Sequence, residues 1–266
     1  MAKKRKKKRS NRKKKQQFPV GLLIALVVLL GLLGAFALLR KPPDATPQPL
    51  TFQSGDFLWE DGRMHCTSRT SIPGIDVSYY QGHIDWEQVK ASGIEFVFVR
   101  LGYRSSADGT LKQDQYAYQN LRGAAEVGLK VGAYFFSQAL TPSEAVEEAN
   151  FALSMLDDQA LQMPLVFDWE EVSSRTAGMT RQNLTDCVKA FCDTVEDAGY
   201  EPMVYYNRDV ADRLLDLDNL TQYPVWFAMY NTDYPNAPGD IRCWQYTDRG
   251  SVPGIPGDVD LDLWFP

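Results

Sequence analysis

The sequence predicts an α/β protein whose parallel sheet closes into a barrel, preceded by one N-terminal transmembrane helix. Three observations predict it. From Ser71 onward, strand-like runs alternate with helix-like runs, and Gly93, Gly128 and Gly199 each stand where a helix should stop. The alternation occupies roughly 200 residues, the size of one α/β barrel and too small for a second large domain. Ahead of it lies an uncharged run from Phe18 to Leu39, 22 residues long.

That run is the first element in order. As a helix it spans roughly 33 Å, enough for a hydrocarbon layer of about 30 Å. Lys3 to Lys15 form a basic cluster before it, so the positive-inside rule puts residues 1–17 in the cytoplasm and everything after Arg40 outside. Ala35-Phe36-Ala37 resembles a signal-peptide cleavage site, but the apolar run exceeds a normal signal core and favours an anchor. Residues 40–70 hold Pro42, Pro43, Pro47 and Pro49, a semi-extended linker, followed by a short hairpin around Asp61-Gly62.

Residues 71–266 form the predicted folded domain. Ile72–Val77, Ile94–Leu101, Lys130–Ser137, Leu165–Glu170 and Pro202–Tyr206 read as strands. Trp86–Ser92, Gln113–Val127, Ser143–Leu156 and Arg181–Ala198 read as the intervening helices, with starts at Thr141-Pro142 and Thr180. Val225–Tyr230, Ile241–Thr247 and Val259–Leu263 follow as strands joined by loops, so the closing part should be irregular.

Charge and cysteines exclude some functions. Residues 1–41 carry 13 Lys and Arg and no acid; the other 225 residues carry 28 − 13 = 15 basic against 34 acidic side chains, a balance of −19. An acidic body argues against a nucleic-acid partner. Cys187 and Cys192 fall five apart on one predicted helix, on different faces, which argues against a bridge between them and leaves other pairings with Cys66 and Cys243 open. With no CxxC motif and only His65 and His83, a zinc centre has no ligand set. No metal or cofactor is expected.

The chemistry concentrates in Pro164-Leu165-Val166-Phe167-Asp168-Trp169-Glu170-Glu171. Proline and acids bound an apolar run, as in a buried parallel strand. Side chains alternate, so Asp168 and Glu170 face the same way with Cα atoms roughly 6.5 Å apart, and Glu171 faces the other way. Like charges this close raise at least one pKa, giving one protonated and one ionised carboxyl, the pairing that glycosidic cleavage uses. The bland reading is a structural ion pair with an arginine such as Arg100.

Further motifs follow in order: Gly74-Ile75-Asp76-Val77-Ser78 with Ile84-Asp85-Trp86, Gly132-Ala133-Tyr134-Phe135-Phe136-Ser137, Phe167-Asp168-Trp169-Glu170, Trp226-Phe227-Ala228-Met229-Tyr230, Trp244-Gln245-Tyr246 and Asp258-Val259-Asp260-Leu261. In content and order they resemble the glycoside hydrolase family 25 lysozymes from about Ile72 to Trp264. The resemblance implies a modified, TIM-like (β/α) barrel and hydrolysis of the β-1,4 bond between N-acetylmuramic acid and N-acetylglucosamine in peptidoglycan strands. It implies Glu170 as general acid and Asp168 as the carboxylate that stabilises positive charge beside the sugar. Asp76 and Asp260 match the family's two further acidic positions. Tyr134, Tyr205 and Tyr230 match its lining, joined by Trp226 and Gln245. Phe135 stands where many relatives have histidine, a departure expected to alter substrate detail.

Physical reasoning reaches the same rim, since barrel enzymes place chemistry at the C-terminal ends of their strands. Crowded carboxylates would keep a proton on Glu170, while Asp168, given better hydrogen bonding, would stay charged. Each residue also has a plain structural reading. Asp76 would cap the following turn, Asp260 would sit solvated with Asp258 and Asp262 in a polar tail, and the aromatics would be core. A chitinase-type hydrolase is disfavoured by Val166 and Met163 where that family carries further aspartates. The rival from another class is an inactive, membrane-tethered module that binds cell-wall glycan. The overall expectation is a monomeric muramidase anchored in the cell membrane and facing the wall.

Overall fold

The computed structural model describes residues 50–156 and 160–266. The predicted basic tail, transmembrane segment and most of the linker lie outside the described residues. Among the described residues no helix is long and apolar enough to cross a membrane.

Eight strands close a barrel: β3 (Ile72–Val77), β4 (Phe96–Arg104), β6 (Lys130–Ser137), β7 (Leu165–Trp169), β8 (Pro202–Asn207), β9 (Val225–Ala228), β10 (Ile241–Gly250) and β11 (Val259–Trp264). Neighbours from β3 through β4 and β6 to β10 run parallel, whereas β11 is antiparallel to both β10 and β3. That antiparallel closure is the irregularity expected near the C-terminus. It pairs Asp260 directly with Asp76.

The crossovers are α1 (Trp86–Ala91), α2 (Ala117–Glu126), α3 (Pro142–Leu156), α4 (Arg181–Asp197) and α5 (Arg208–Leu214). Their starts are chemically marked. Asp85 accepts from Gln88 N at 3.1 Å, Thr180 from Asn183 N at 3.2 Å and Asn207 from Val210 N at 3.0 Å, each satisfying an otherwise orphaned amide. The helix expected over 113–127 starts only at Ala117. Leu111–Gln113 instead forms β5, antiparallel to the end of β4, and Asp114 turns inward to pair with Arg100 at 2.8 Å.

Alternation along the strands makes two cores. On β7, Leu165, Phe167 and Trp169 pack outward against the helices, while Val166 faces a separate inner cluster with Phe96, Phe98, Met163, Met203 and Trp226. Gly74 and Gly132 make room for two of those rings: a Cβ on either would lie 2.1 Å from Phe96 or 2.5 Å from Phe98. Phe135 is fully buried in the outer layer against Phe151. It therefore does not touch the barrel mouth, contrary to its expected influence on substrate; Phe136 faces inward instead.

Ahead of the barrel, β1 (Phe57–Glu60) and β2 (Arg63–Cys66) form the expected hairpin, with Asp61 and Gly62 both at positive φ (51° and 77°), as a type I′ turn requires. It is no detached linker element. No helix separates β10 from β11, and the hairpin covers that exposed side: Phe57 lies 4.9 Å from Trp244 and 6.1 Å from Phe265, and Trp59 lies 5.9 Å from Tyr246. Arg63 donates to Ser92 O at 2.8 Å. The hairpin and the barrel belong to one compact unit, Gln48–Pro266.

Phe57→Ala should therefore destabilise the barrel by about 2 kcal/mol in urea unfolding, below the cost for a fully buried phenylalanine because this ring is only partly buried. An unchanged midpoint would show that the hairpin only rests on the barrel.

Candidate active site

At the C-terminal ends of the strands a pocket of about 200 Å³ opens, lined by Asp76, Asp168, Glu170 and Asp260 together with Tyr134, Tyr205, Trp226, Tyr230 and Gln245. Every residue singled out from the sequence thus reaches one cavity. Ser78, Tyr80, Gln81, Arg100 and Phe136 complete its wall. Phe136 was legible as the position two beyond Tyr134 on the same strand face. Ser78 and Gln81 form a capping box directly after β3, a pattern readable from their spacing.

The polar contacts are directional. Tyr205 and Tyr230 hydroxyls donate to Gln245 Oε1 at 3.1 and 2.6 Å, which turns the amide nitrogen toward Asp76 Oδ2 at 2.7 Å. Asp76 is therefore held by a side chain of β10, two strands away in the sheet, and is no turn cap. Trp226 is 1 % exposed, stacked on Phe98 at 4.8 Å with its indole N–H on Asp262 Oδ1 at 2.8 Å. It forms the floor and offers no open face to a sugar.

Asp262 was expected in a solvated tail and is instead completely buried. The reason is register: it lies two residues from Asp260 on β11, opposite Gly74, and so shares the inward face. Asp258, one residue before the strand, is the exposed member of the three. The DVDLDLW alternation carried this signal, masked by the density of acids.

Arg100 does not serve as the ion-pair partner of Asp168. Its guanidinium donates to Asp114 at 2.9 Å and lies over the Tyr79 ring at 5.0 Å. Asp168 Oδ1 is buried without a hydrogen-bond partner among the described residues. Burial, then the Glu170 charge, hold the Asp168 carboxyl well above the ordinary range, against the pull of Arg100. This contradicts the expectation that Asp168 is the better hydrogen-bonded, ionised member. Burial also raises Glu170. Burial with the Asp260 and Asp262 charges raises Asp76 well above its usual value, and burial lifts Asp260 to about 6. Glu171, pointing away, pairs with Arg213 at 2.5 Å.

Among the described residues no group of three His, Cys, Asp or Glu side chains is arranged to hold a metal ion. All four cysteines are free thiols, three of them buried.

The model of glycosyl hydrolases family 25 matches residues 75–255, more than half of the chain. The chain belongs to glycoside hydrolase family 25. It is 30 % identical over 192 residues to an autolytic lysozyme of Clostridium acetobutylicum, covering 72 % of this chain and 55 % of that protein. It is 24 % identical over 205 residues to lysozyme M1 of Streptomyces globisporus, covering 72 % of this chain and 67 % of that one. A family 25 glycosyl hydrolase from Bacillus anthracis shares the fold with a TM-score of 0.65 at 24 % identity, over 76 % of this chain and 92 % of the other. The modular autolysin LytC of Streptococcus pneumoniae, also solved with a synthetic peptidoglycan ligand, gives a TM-score of 0.68 at 24 % identity, over 79 % and 52 %. The chain thus spans about half of the clostridial lysozyme and of the pneumococcal autolysin.

The raised carboxyls of this family 25 site make stability depend on pH. Below the unfolded-state carboxylate range, about 4, both states hold these protons. Above it the unfolded chain releases them while the folded acids keep them, so the contribution is lost as pH rises through the folded values, including the Asp260 value of about 6. The melting temperature should fall from pH 5 to pH 8, and Asp262→Asn, which removes one buried acid while keeping its shape, should flatten that slope. An equal slope in the variant would mean that Asp262 titrates as an ordinary solvated acid.

Proposed function

We propose that the protein is a muramidase that hydrolyses the β-1,4 bond between N-acetylmuramic acid and N-acetylglucosamine in peptidoglycan. One observation carries the reading: Asp168 and Glu170 open together into a pocket at the strand ends, and Asp168 brings a buried oxygen that has no partner among the described residues. Such an acceptor is suited to a substrate N–H. Membership of family 25 and the kinship to a protein named autolytic lysozyme support the substrate class.

In this mechanism Glu170, whose pKa burial raises, gives its proton to the glycosidic oxygen as the bond from that oxygen to C1 breaks. The 2-acetamido carbonyl oxygen of the same sugar closes on C1 from the opposite face. The acetamido N–H donates to Asp168 and supplies the hydrogen bond that the unliganded site lacks, which favours the ionised form, and that carboxylate stabilises the positive charge that develops. Water then adds to C1 as the bond from C1 to the acetamido oxygen breaks and the acetamido group is restored, the Glu170 carboxylate takes the water's proton, and the configuration at C1 is retained. Asp76 and Asp260, paired across β3 and β11, keep the adjoining wall acidic and rich in acceptors for sugar hydroxyls. Tyr134, Tyr205 and Tyr230 line the same pocket, and Gln245 sets the hydroxyl directions of the last two.

Glu170→Gln should lower turnover by at least ~10³-fold and Asp168→Asn by ~10² to 10³-fold, with glycan binding kept, as read by muropeptide analysis for new reducing muramic-acid ends. Near wild-type cleavage by Glu170→Gln would remove Glu170 from the acid role. A wild-type chain that binds glycan and yields no new ends at any pH is the outcome that supports a binding module.

The anchored topology belongs to the same proposal. The 22 uncharged residues from Phe18 to Leu39 and the basic run before them support a single-pass protein, N-terminus in the cytoplasm, with a monomeric catalytic domain outside against the wall. Full-length protein should stay with membranes through an alkaline wash, and a chain starting at 48 should be soluble. Full-length protein found in the soluble fraction would refute the anchor.

A further inference from the structure

Glu170 stands just beyond the end of the sheet. The β6–β7 ladder stops at Ser137 paired with Trp169, and the β7–β8 ladder stops at Asp168 paired with Tyr205. No ladder partner therefore fixes the backbone from which the acid side chain projects. A pairing continued by one residue would set Gln138 beside Glu170, but after Ser137 the chain leaves the sheet to begin α3.

The Gln138 side chain supplies the missing rung. It is completely buried, and its Nε2 donates to Glu170 O at 2.8 Å and to Ser137 O at 2.9 Å. Backbone carbonyls only accept, so the amide has one workable orientation. Its Oε1 accepts from Ser173 Oγ at 2.8 Å, which ties down the loop following Glu170. The backbone around Gln138 is held in turn. Arg175 Nε donates to Gln138 O at 3.1 Å and its Nη2 pairs with Glu144 at 2.6 Å, while Glu144 also accepts from Leu140 N at 2.8 Å. Ser137 Oγ donates to the buried Glu148 at 2.5 Å, and Glu148 is paired with Arg104 at 2.7 Å. Trp169 Nε1 on Ala139 O at 3.1 Å joins the same two strand ends from the outer side.

We propose that Gln138 is the positioning residue for Glu170: its side-chain amide extends the β6–β7 ladder by one step and aims the acid at the glycosidic oxygen. It touches no substrate, since it does not line the pocket. Without it, Glu170 O keeps, among the described residues, only the Val172 N–H at 3.0 Å, a bond within its own loop that moves with it.

The inference rests on the muramidase reading, so wild type and Glu170→Gln are assayed alongside: cleavage by the first and not the second upholds that reading whatever the Gln138 variants do. Gln138→Glu keeps the shape and sets an acceptor against two carbonyls; Gln138→Leu removes the donors. In both, kcat should fall by about 10²-fold, the scale set by a misplacement of about 1 Å, with KM for soluble glycan strands unchanged within about twofold and the assay run well below the melting temperature. Ser173→Ala, which frees only the far end of the amide, should lower kcat several-fold with the same unchanged KM. A folded Gln138→Leu variant with wild-type kcat, or with its loss confined to KM, overturns the proposal. If both Gln138 variants fail to fold, Ser173→Ala decides, and wild-type kcat there overturns it equally.

Discussion

Like charges gathered inside a closed sheet set the conditions for the rest of this protein. Asp76, Asp168, Glu170 and Asp260 share one mouth and Asp262 lies beneath them. Separately hydrated, these acids would ionise in the ordinary range; enclosed together, they release their protons at higher pH. The surroundings decide how firmly. Gln245 and Trp226 offer N–H groups that favour ionisation of Asp76 and Asp262, while the nearest cation, Arg100, is committed to Asp114. A positive charge is thus near enough to temper Asp168 and unable to neutralise it.

That arrangement costs stability, and the apolar layers on either side of the sheet offset it. Below the acids the barrel is filled by rings, with Trp226 flanked by Phe98, Tyr134 and Tyr205. Glycines on β3 and β6 leave the space those rings occupy. Outside, helices cover most of the wall and the N-terminal hairpin covers β10 and β11. The polar mouth and the apolar floor come from the same strands, one residue pair apart, as Val166 and Asp168 show.

Much of this was legible in sequence because the strands are short, apolar and bounded by glycine, proline or acids. The chemical residues sit at strand ends, where alternation fixes their side. The failures have local causes. Asp262 looked solvated because sequence alone does not reveal that β11 is flanked on both sides. Phe135 looked functional because a family position was weighed without the inward or outward sense of its strand. The hairpin was grouped with the linker because its partners, Trp244 and Phe265, lie far along the chain. Asp168 looked well bonded because the absence of a donor is a property of assembled neighbours. Gln138 carried no signal, being one ordinary glutamine after a strand.

The antiparallel closure by β11 has a consequence for biosynthesis. The seam of the barrel joins the first strand to the last, so a partly synthesised chain has neither a sealed sheet nor Asp260 beside Asp76. Nascent polypeptide would stay inert until its final strand docks.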